Sequence, residues 1–248
     1  MLAVYRKELR SYFITPVGYI YAGIFLALSA LAFCYTTLIS KSYDTSLYFT
    51  LMIFSFVILI PLLTMKLFSE EKKLRTEQML LTAPVTITGM VLGKYLAALT
   101  MFVSSLLVSC INFIPLFAIG AAERAAKGYS TTHIGPVLPQ VIGSLIGVVL
   151  IGAAFIAIGM LISTLTENQL ASAILTVAAL LIIVILNLVN NFISNYAVRF
   201  VIDWICILSR FSRFSYGLFD FSALVYYISI CSVFIFLTVR VYDKRRWS

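Results

Sequence analysis

Charged positions divide the chain into six long apolar runs: Ser11–Ser40, Thr45–Met65, Tyr95–Ala122, Gly128–Thr166, Asn168–Val198 and Phe221–Val239. An Asp, Glu, Lys or Arg at the centre of a bilayer costs about 2.5–3.5 kcal/mol. About 20 apolar residues in a helix cross roughly 30 Å of hydrocarbon. Runs free of charge are therefore a direct readout of spans. Trimming their polar ends predicts six, near 17–39, 47–67, 91–119, 137–163, 170–190 and 221–240. The period-two alternation of a barrel strand is absent, so the spans are helices. The fold class is an all-α polytopic membrane protein with one transmembrane domain over residues 1–248.

Three stretches outside the spans carry pattern of their own. In residues 1–16, Leu2, Tyr5, Leu9, Tyr12 and Phe13 recur at helical spacing with Arg6, Lys7 and Arg10 on the flank. Pro16 disfavours helical geometry at Thr15. The expectation is an interfacial amphipathic helix leading into span one. The second stretch, 68–90, is rich in charge and then presents Met79, Leu80 and Leu81 before Pro84. Charges that steer and apolar side chains that anchor suit a docking element for a soluble partner. Leu80 is the expected anchor there, and Glu71 a rim charge of smaller effect. The third stretch, 191–220, alternates Arg199, Asp203, Arg210, Arg213 and Asp220 with Phe200, Trp204, Ile207, Phe211 and Phe214. It is too charged to span and too apolar for a free loop, so a re-entrant or interfacial helix pair is expected. Taken as one helix, Phe200, Trp204, Ile207 and Phe211 form a single apolar face that serves either as a lid or as an anchor for span six.

Composition narrows the class. Hydrophobic residues make up 62% and charged residues 11% of 248, with a mean hydropathy of +1.04. A soluble domain carries about 25% charged residues, so an ordinary soluble enzyme, a disordered chain and a secreted disulfide module are excluded. The net charge of +8 is distributed by topology: with both termini inside, 12 bases lie on inner segments and 6 on outer ones. The positive-inside rule then places both termini in the cytoplasm. Dispersal over short segments argues against a nucleic-acid footprint. The first apolar run exceeds a signal h-region and no A-x-A site closes it, so no cleaved signal peptide is expected. Cys34, Cys110, Cys206 and Cys231 lack metal or redox spacing and read as small hydrophobes.

Candidate chemistry is sparse. The string Gly89-Met-Val-Leu-Gly93-Lys94 is one residue short of a phosphate-cradling loop and lacks its hydroxyl. His133, the single histidine, has no neighbouring ligand types. No acid falls within a span, where ion-coupled carriers usually place one. Pro61 and Pro115 mark possible kinks in spans two and three. Gly143, Gly147, Gly152 and Gly159 give span four a small-residue side that reads as helix packing. Lys94 sits where it can snorkel to the inner interface. The chain is expected to catalyse no covalent chemistry and to hold no cofactor.

The residues Lys66-Leu-Phe-Ser-Glu70-Glu71-Lys72-Lys73, Thr76-Glu77-Gln78-Met79-Leu80-Leu81-Thr82-Ala83-Pro84-Val85 and Val91-Leu92-Gly93-Lys94-Tyr95 resemble the inner loop of type-2 ABC transporter permeases. The start, Tyr5-Arg6-Lys7-Glu8-Leu9-Arg10 with Pro16-Val17-Gly18-Tyr19, is similar to the gliding-motility-type branch. The resemblance implies an exporter subunit driven by a separate cytoplasmic ATPase that holds ATP and Mg. It further implies a second permease copy or related chain, and in this branch an extracellular accessory subunit. The coupling helix it implies falls on Glu70, Glu71, Thr76, Glu77, Met79, Leu80, Leu81 and Pro84, and the outer re-entrant segment on Phe200, Asp203, Trp204, Ile207 and Phe211. Where the family often reads Gly-Thr-x-Glu this chain has Arg75-Thr76-Glu77-Gln78, so the acid is displaced by one position. Two other readings stay open from the residues alone: a membrane scaffold anchoring an extracellular partner, and an ion-coupled secondary transporter.

Overall fold

A computed structural model describes residues 1–40, 43–73, 86–127, 136–190 and 206–247, with side chains except those of 124–127 and 245–247. Among the described residues every regular element is a helix. Helix α1 (Leu2–Ile14) stops at Thr15, which is extended at φ −81° and ψ 145°, and Pro16 opens α2 (Pro16–Phe33) at its first position. Proline tolerates that position because its missing N–H has no helical partner there. A π-helical turn, Cys34–Ile39, completes the first span. Then follow α3 (Ser46–Thr64), the short α4 (Ser69–Lys73) and α5 (Ile87–Ser109). A 3₁₀ turn at Cys110–Asn112 joins α5 to α6 (Phe113–Lys127). The chain continues through α7 (Leu138–Leu165), α8 (Gln169–Asn190), α9 (Phe211–Ser215) and α10 (Phe221–Trp247).

Among the described residues, six stretches are long and apolar enough to cross a membrane: Pro16–Ile39, Ser46–Lys73, Ile87–Glu123, Leu138–Leu165, Gln169–Asn190 and Phe221–Lys244. This is the architecture of a multi-pass membrane protein. The two prolines behave differently. Span two runs through Pro61 as one helix. Span three breaks to 3₁₀ geometry just before Pro115, whose ring collides with the carbonyl four residues earlier and whose nitrogen has no proton to give it. Asn112, at that break, donates to Ser29 Oγ at 3.0 Å, and Ser29 bonds the Tyr48 hydroxyl at 2.9 Å.

Helix α7 is the centre of the bundle. Every residue from Ile151 to Met160 is buried. Its glycines are the points of closest approach. A Cβ on Gly152 would lie 2.4 Å from the Phe102 ring, and one on Gly159 would lie 2.5 Å from Thr64 Oγ1 and 3.1 Å from Thr176. The small-residue side of span four therefore packs α5, α3 and α8 against it, as read from sequence. Phe25, Phe56 and Phe102 fill the adjoining layer with ring centroids 5.0–6.2 Å apart. Helix α8 is inverted relative to a soluble helix. Ser172, Thr176, Leu180 and Val184 face inward, while Leu170, Ile174 and Ile182 are exposed. Small residues let helices approach where lipid, not water, covers the outside.

Candidate functional site

Both termini lie at one end of the bundle: a Cβ on Gly89, at the start of α5, would lie 3.6 Å from Met1, and Tyr242 of α10 packs on Phe68 with ring centroids 4.8 Å apart. Helix α1 crosses the first turns of α5 there. Thr86 caps α5 by accepting from the Gly89 N–H at 3.3 Å. A Cβ on Gly93 would meet Met1 O at 3.1 Å and the Tyr5 nitrogen at 3.3 Å. With any side chain at Gly93, α1 would have to move out by a few tenths of an ångström. At the next position, the Lys94 side chain is 1% exposed.

Lys94 is the hub of the terminal end. Its ammonium donates to Glu71 at 2.7 Å, to Glu8 at 3.2 Å and to the Leu67 carbonyl at 2.6 Å, and it lies 4.9 Å from the Phe68 ring centroid. Burying a charge is expensive unless it is paired and its donors are used. Here two carboxylates and a carbonyl take all three protons. Lys7, largely exposed, lies 3.7 Å from Glu71 and 3.9 Å from Glu8. These groups line a cavity of about 210 Å³ that also reaches Tyr12, Lys66 and Glu70. Burial first, then the charges of Glu8 and Glu70, raise the Tyr12 phenol above its ordinary value; its hydroxyl donates to Leu63 O at 3.1 Å.

Helix α4 is held to the end of α7 as well. The Phe68 and Ser69 N–H groups donate to Ser163 Oγ at 3.2 and 3.3 Å. Lys72 donates to Thr164 O, and to Thr166 O at 3.3 Å. Carbonyls at a helix C-terminus lack helical partners and carry partial negative charge, so a lysine there satisfies both needs. Residues Phe68 to Lys73 thus connect to α1 and α5 through the charge of Glu71, to α7 through capping, and to α10 through Phe68, which precedes α4.

Of the residues assigned to coupling, Glu70 and Glu71 lie in α4; Thr76, Glu77, Met79, Leu80, Leu81 and Pro84 lie outside the described residues. Glu70 pairs with Lys66 at 3.9 Å. Glu71 is not a rim charge: its side chain is 13% exposed and points at Lys94. Lys94 does not snorkel, because two acids inside offer it what the interface would. Sequence reasoning missed this ion cluster. Its signal was the string Gly89–Lys94, which is no phosphate loop but seats α1 at Gly93 and places the lysine.

At the far end, Phe200, Asp203 and Trp204 lie outside the described residues, as does His133. Ile207 and Phe211 are both buried, but not along one continuous helix: residues 207–210 form a turn and α9 begins at Phe211. Helix α9 seats on the first glycines of α7. A Cβ on Gly143 would meet Phe214 O at 2.6 Å, and one on Gly147 would meet the Phe211 ring at 2.9 Å. Gly217, with φ +75°, turns the chain beside Pro139. Arg213 holds Asp220 at 2.7 Å, and Tyr227 donates to Ile207 O at 2.7 Å. Gln140 and the Ser46 N–H bind Asp44 at 3.0 and 2.9 Å. Burial works to raise the Asp44 carboxyl, yet the hydrogen bonds from Ser46 and Gln140 prevail and hold it below its ordinary value.

Among the described residues, no group of three or more His, Cys, Asp or Glu side chains could hold a metal ion. Among the described residues at the terminal end, Glu8, Glu71, Lys72 and Lys94 are engaged in holding helices to one another. Compared with models of known protein families and with characterised proteins, the chain matches none.

Proposed function

We propose that this chain is the membrane-embedded permease subunit of an ABC exporter, with the terminal end in the cytoplasm and ATP and Mg bound by a separate ATPase subunit. The observation that carries the reading is the attachment of α4. The docking residues Met79, Leu80 and Leu81 follow in sequence a short stretch, Phe68 to Lys73, tied at once to α1, α5, α7 and α10. A force that reaches α4 would pass to four elements through short polar contacts and one aromatic contact. The likeness of 66–95 to the family's inner loop supplies the identity of the partner. The apolar side chains exposed on α2, α8 and α10 supply surface for lipid and for a second permease chain. In this reading segment 191–220 covers the far end, with Phe211 and Phe214 as its fixed foot on α7, Ile207 held by Tyr227 of α10, and an accessory subunit beyond it.

Leu80→Asp tests the proposal. Burying a leucine contributes about 1.5–3 kcal/mol, so the variant should insert and fold normally while losing most of the ATPase subunit that co-purifies with the unmodified chain. Normal co-purification, with transport-coupled ATP hydrolysis retained, refutes the docking role of this segment.

A further inference from the structure

We propose that the outward face of α1 binds the headgroup of an anionic phospholipid through Arg6 and Arg10. Helix α1 is separated from the first span by Thr15 alone, so it lies at the level where the apolar surface of α2 begins. Around its axis, at 100° per residue, the helix has three sectors. Val4, Glu8 and Tyr12 face the protein; Val4 and Tyr12 are buried and Glu8 is committed to Lys94. Leu2 and Phe13 come next, 64% and 50% exposed. Arg6 and Arg10 follow, one turn apart and both exposed, and with Ser11 and Thr15 they line a shallow groove.

The charge on this face is uncompensated. Lys7 borders the same groove but lies within 4 Å of Glu8 and Glu71. Among the described residues neither arginine has an acidic partner. Two guanidiniums can share one phosphate, and Leu2 and Phe13 beside them take acyl chain. That combination fits a lipid better than a soluble acidic partner, which would leave the apolar pair in water. A choline headgroup carries its own cation next to the phosphate; a glycerol headgroup leaves the negative charge whole.

The test uses the full chain in vesicles, with its four cysteines replaced and a fluorophore on Ser11→Cys. Quenching by phosphatidylglycerol carrying a nitroxide near its headgroup is compared with quenching by the matching phosphatidylcholine. Each base near an anionic surface is worth about fivefold in association, so Arg6→Gln with Arg10→Gln should lower the preference for the glycerol lipid by up to roughly 25-fold. Arg6→Lys with Arg10→Lys should keep most of it, and inorganic phosphate should not compete. Equal quenching by the two lipids, a preference that survives the glutamine pair, or displacement by inorganic phosphate would each overturn the proposal.

Discussion

Replacing Lys94 with methionine isolates the worth of the buried ion cluster. Methionine keeps an unbranched apolar stem but offers no charge and no donor. Glu71 and Glu8, 13% and 14% exposed, then face each other across the cavity, and Leu67 O loses its donor. Lys7 is the base left nearby, at 3.7–3.9 Å and 64% exposed, and water screens most of what it contributes. Removing one partner of a buried pair costs about 3–5 kcal/mol, because a desolvated charge stays behind. The residual exposure of the two acids favours the lower end, about 3 kcal/mol. At about 2–4 °C per kcal/mol for a chain of this size, the melting point should fall by roughly 6–12 °C. Thermal unfolding of the purified chain in mild detergent, followed by loss of the monodisperse peak, reads this directly. Lys7→Met is the matched control and should cost under about 1 kcal/mol. Adding Glu71→Gln to Lys94→Met should recover part of the loss, since one stranded charge is removed. A Lys94→Met protein that melts within about 2 °C of the unmodified chain, or a Lys7→Met protein that melts equally low, would show that the cluster does not hold α1 and α4 as described.

Gly143→Ala should destabilise by about 1–3 kcal/mol, because its Cβ would lie 2.6 Å from a backbone oxygen of α9. Gly23→Ala, with nothing within 4 Å, should be neutral or stabilise by up to about 1 kcal/mol, and paired thermal melts decide between packing and helix propensity. The Asp44 carboxyl is held below its ordinary value when folded, so its contribution is present above the unfolded value of about 3.9 and is lost as pH falls through the lower folded one. Melting points measured at pH 5 and pH 3 should accordingly fall further in the unmodified chain than in Asp44→Asn.

Which stretches form helices long and apolar enough to cross a membrane was legible from charge spacing alone, because the penalty for a charge in hydrocarbon is large, local and independent of what lies nearby. The break at Thr15–Pro16 was legible for the same kind of reason: proline restricts its neighbour through covalent geometry. The seating of α9 was only half legible. Phe211 and Phe214 belong to the apolar pattern of the sequence, but the glycines they seat against, Gly143 and Gly147, are far away in sequence.

Tertiary structure decided which spans are central. The most apolar windows of α7 and α8 have the same mean hydropathy, 2.8, yet 67% of the first and 22% of the second are buried. In water an exposed helix must display polar residues, so composition reports burial. In a bilayer lipid and protein interior are equally apolar, and that report is lost. The position of α7 came instead from its glycines, whose meaning depends on which side chains arrive opposite them. The ion cluster was hidden for a related reason. Glu8, Glu71 and Lys94 lie in three separate segments, each unremarkable in its own stretch of sequence. A buried charge is affordable only with its partners in place, and only the packing of α1 across α5 brings those partners within 3.2 Å.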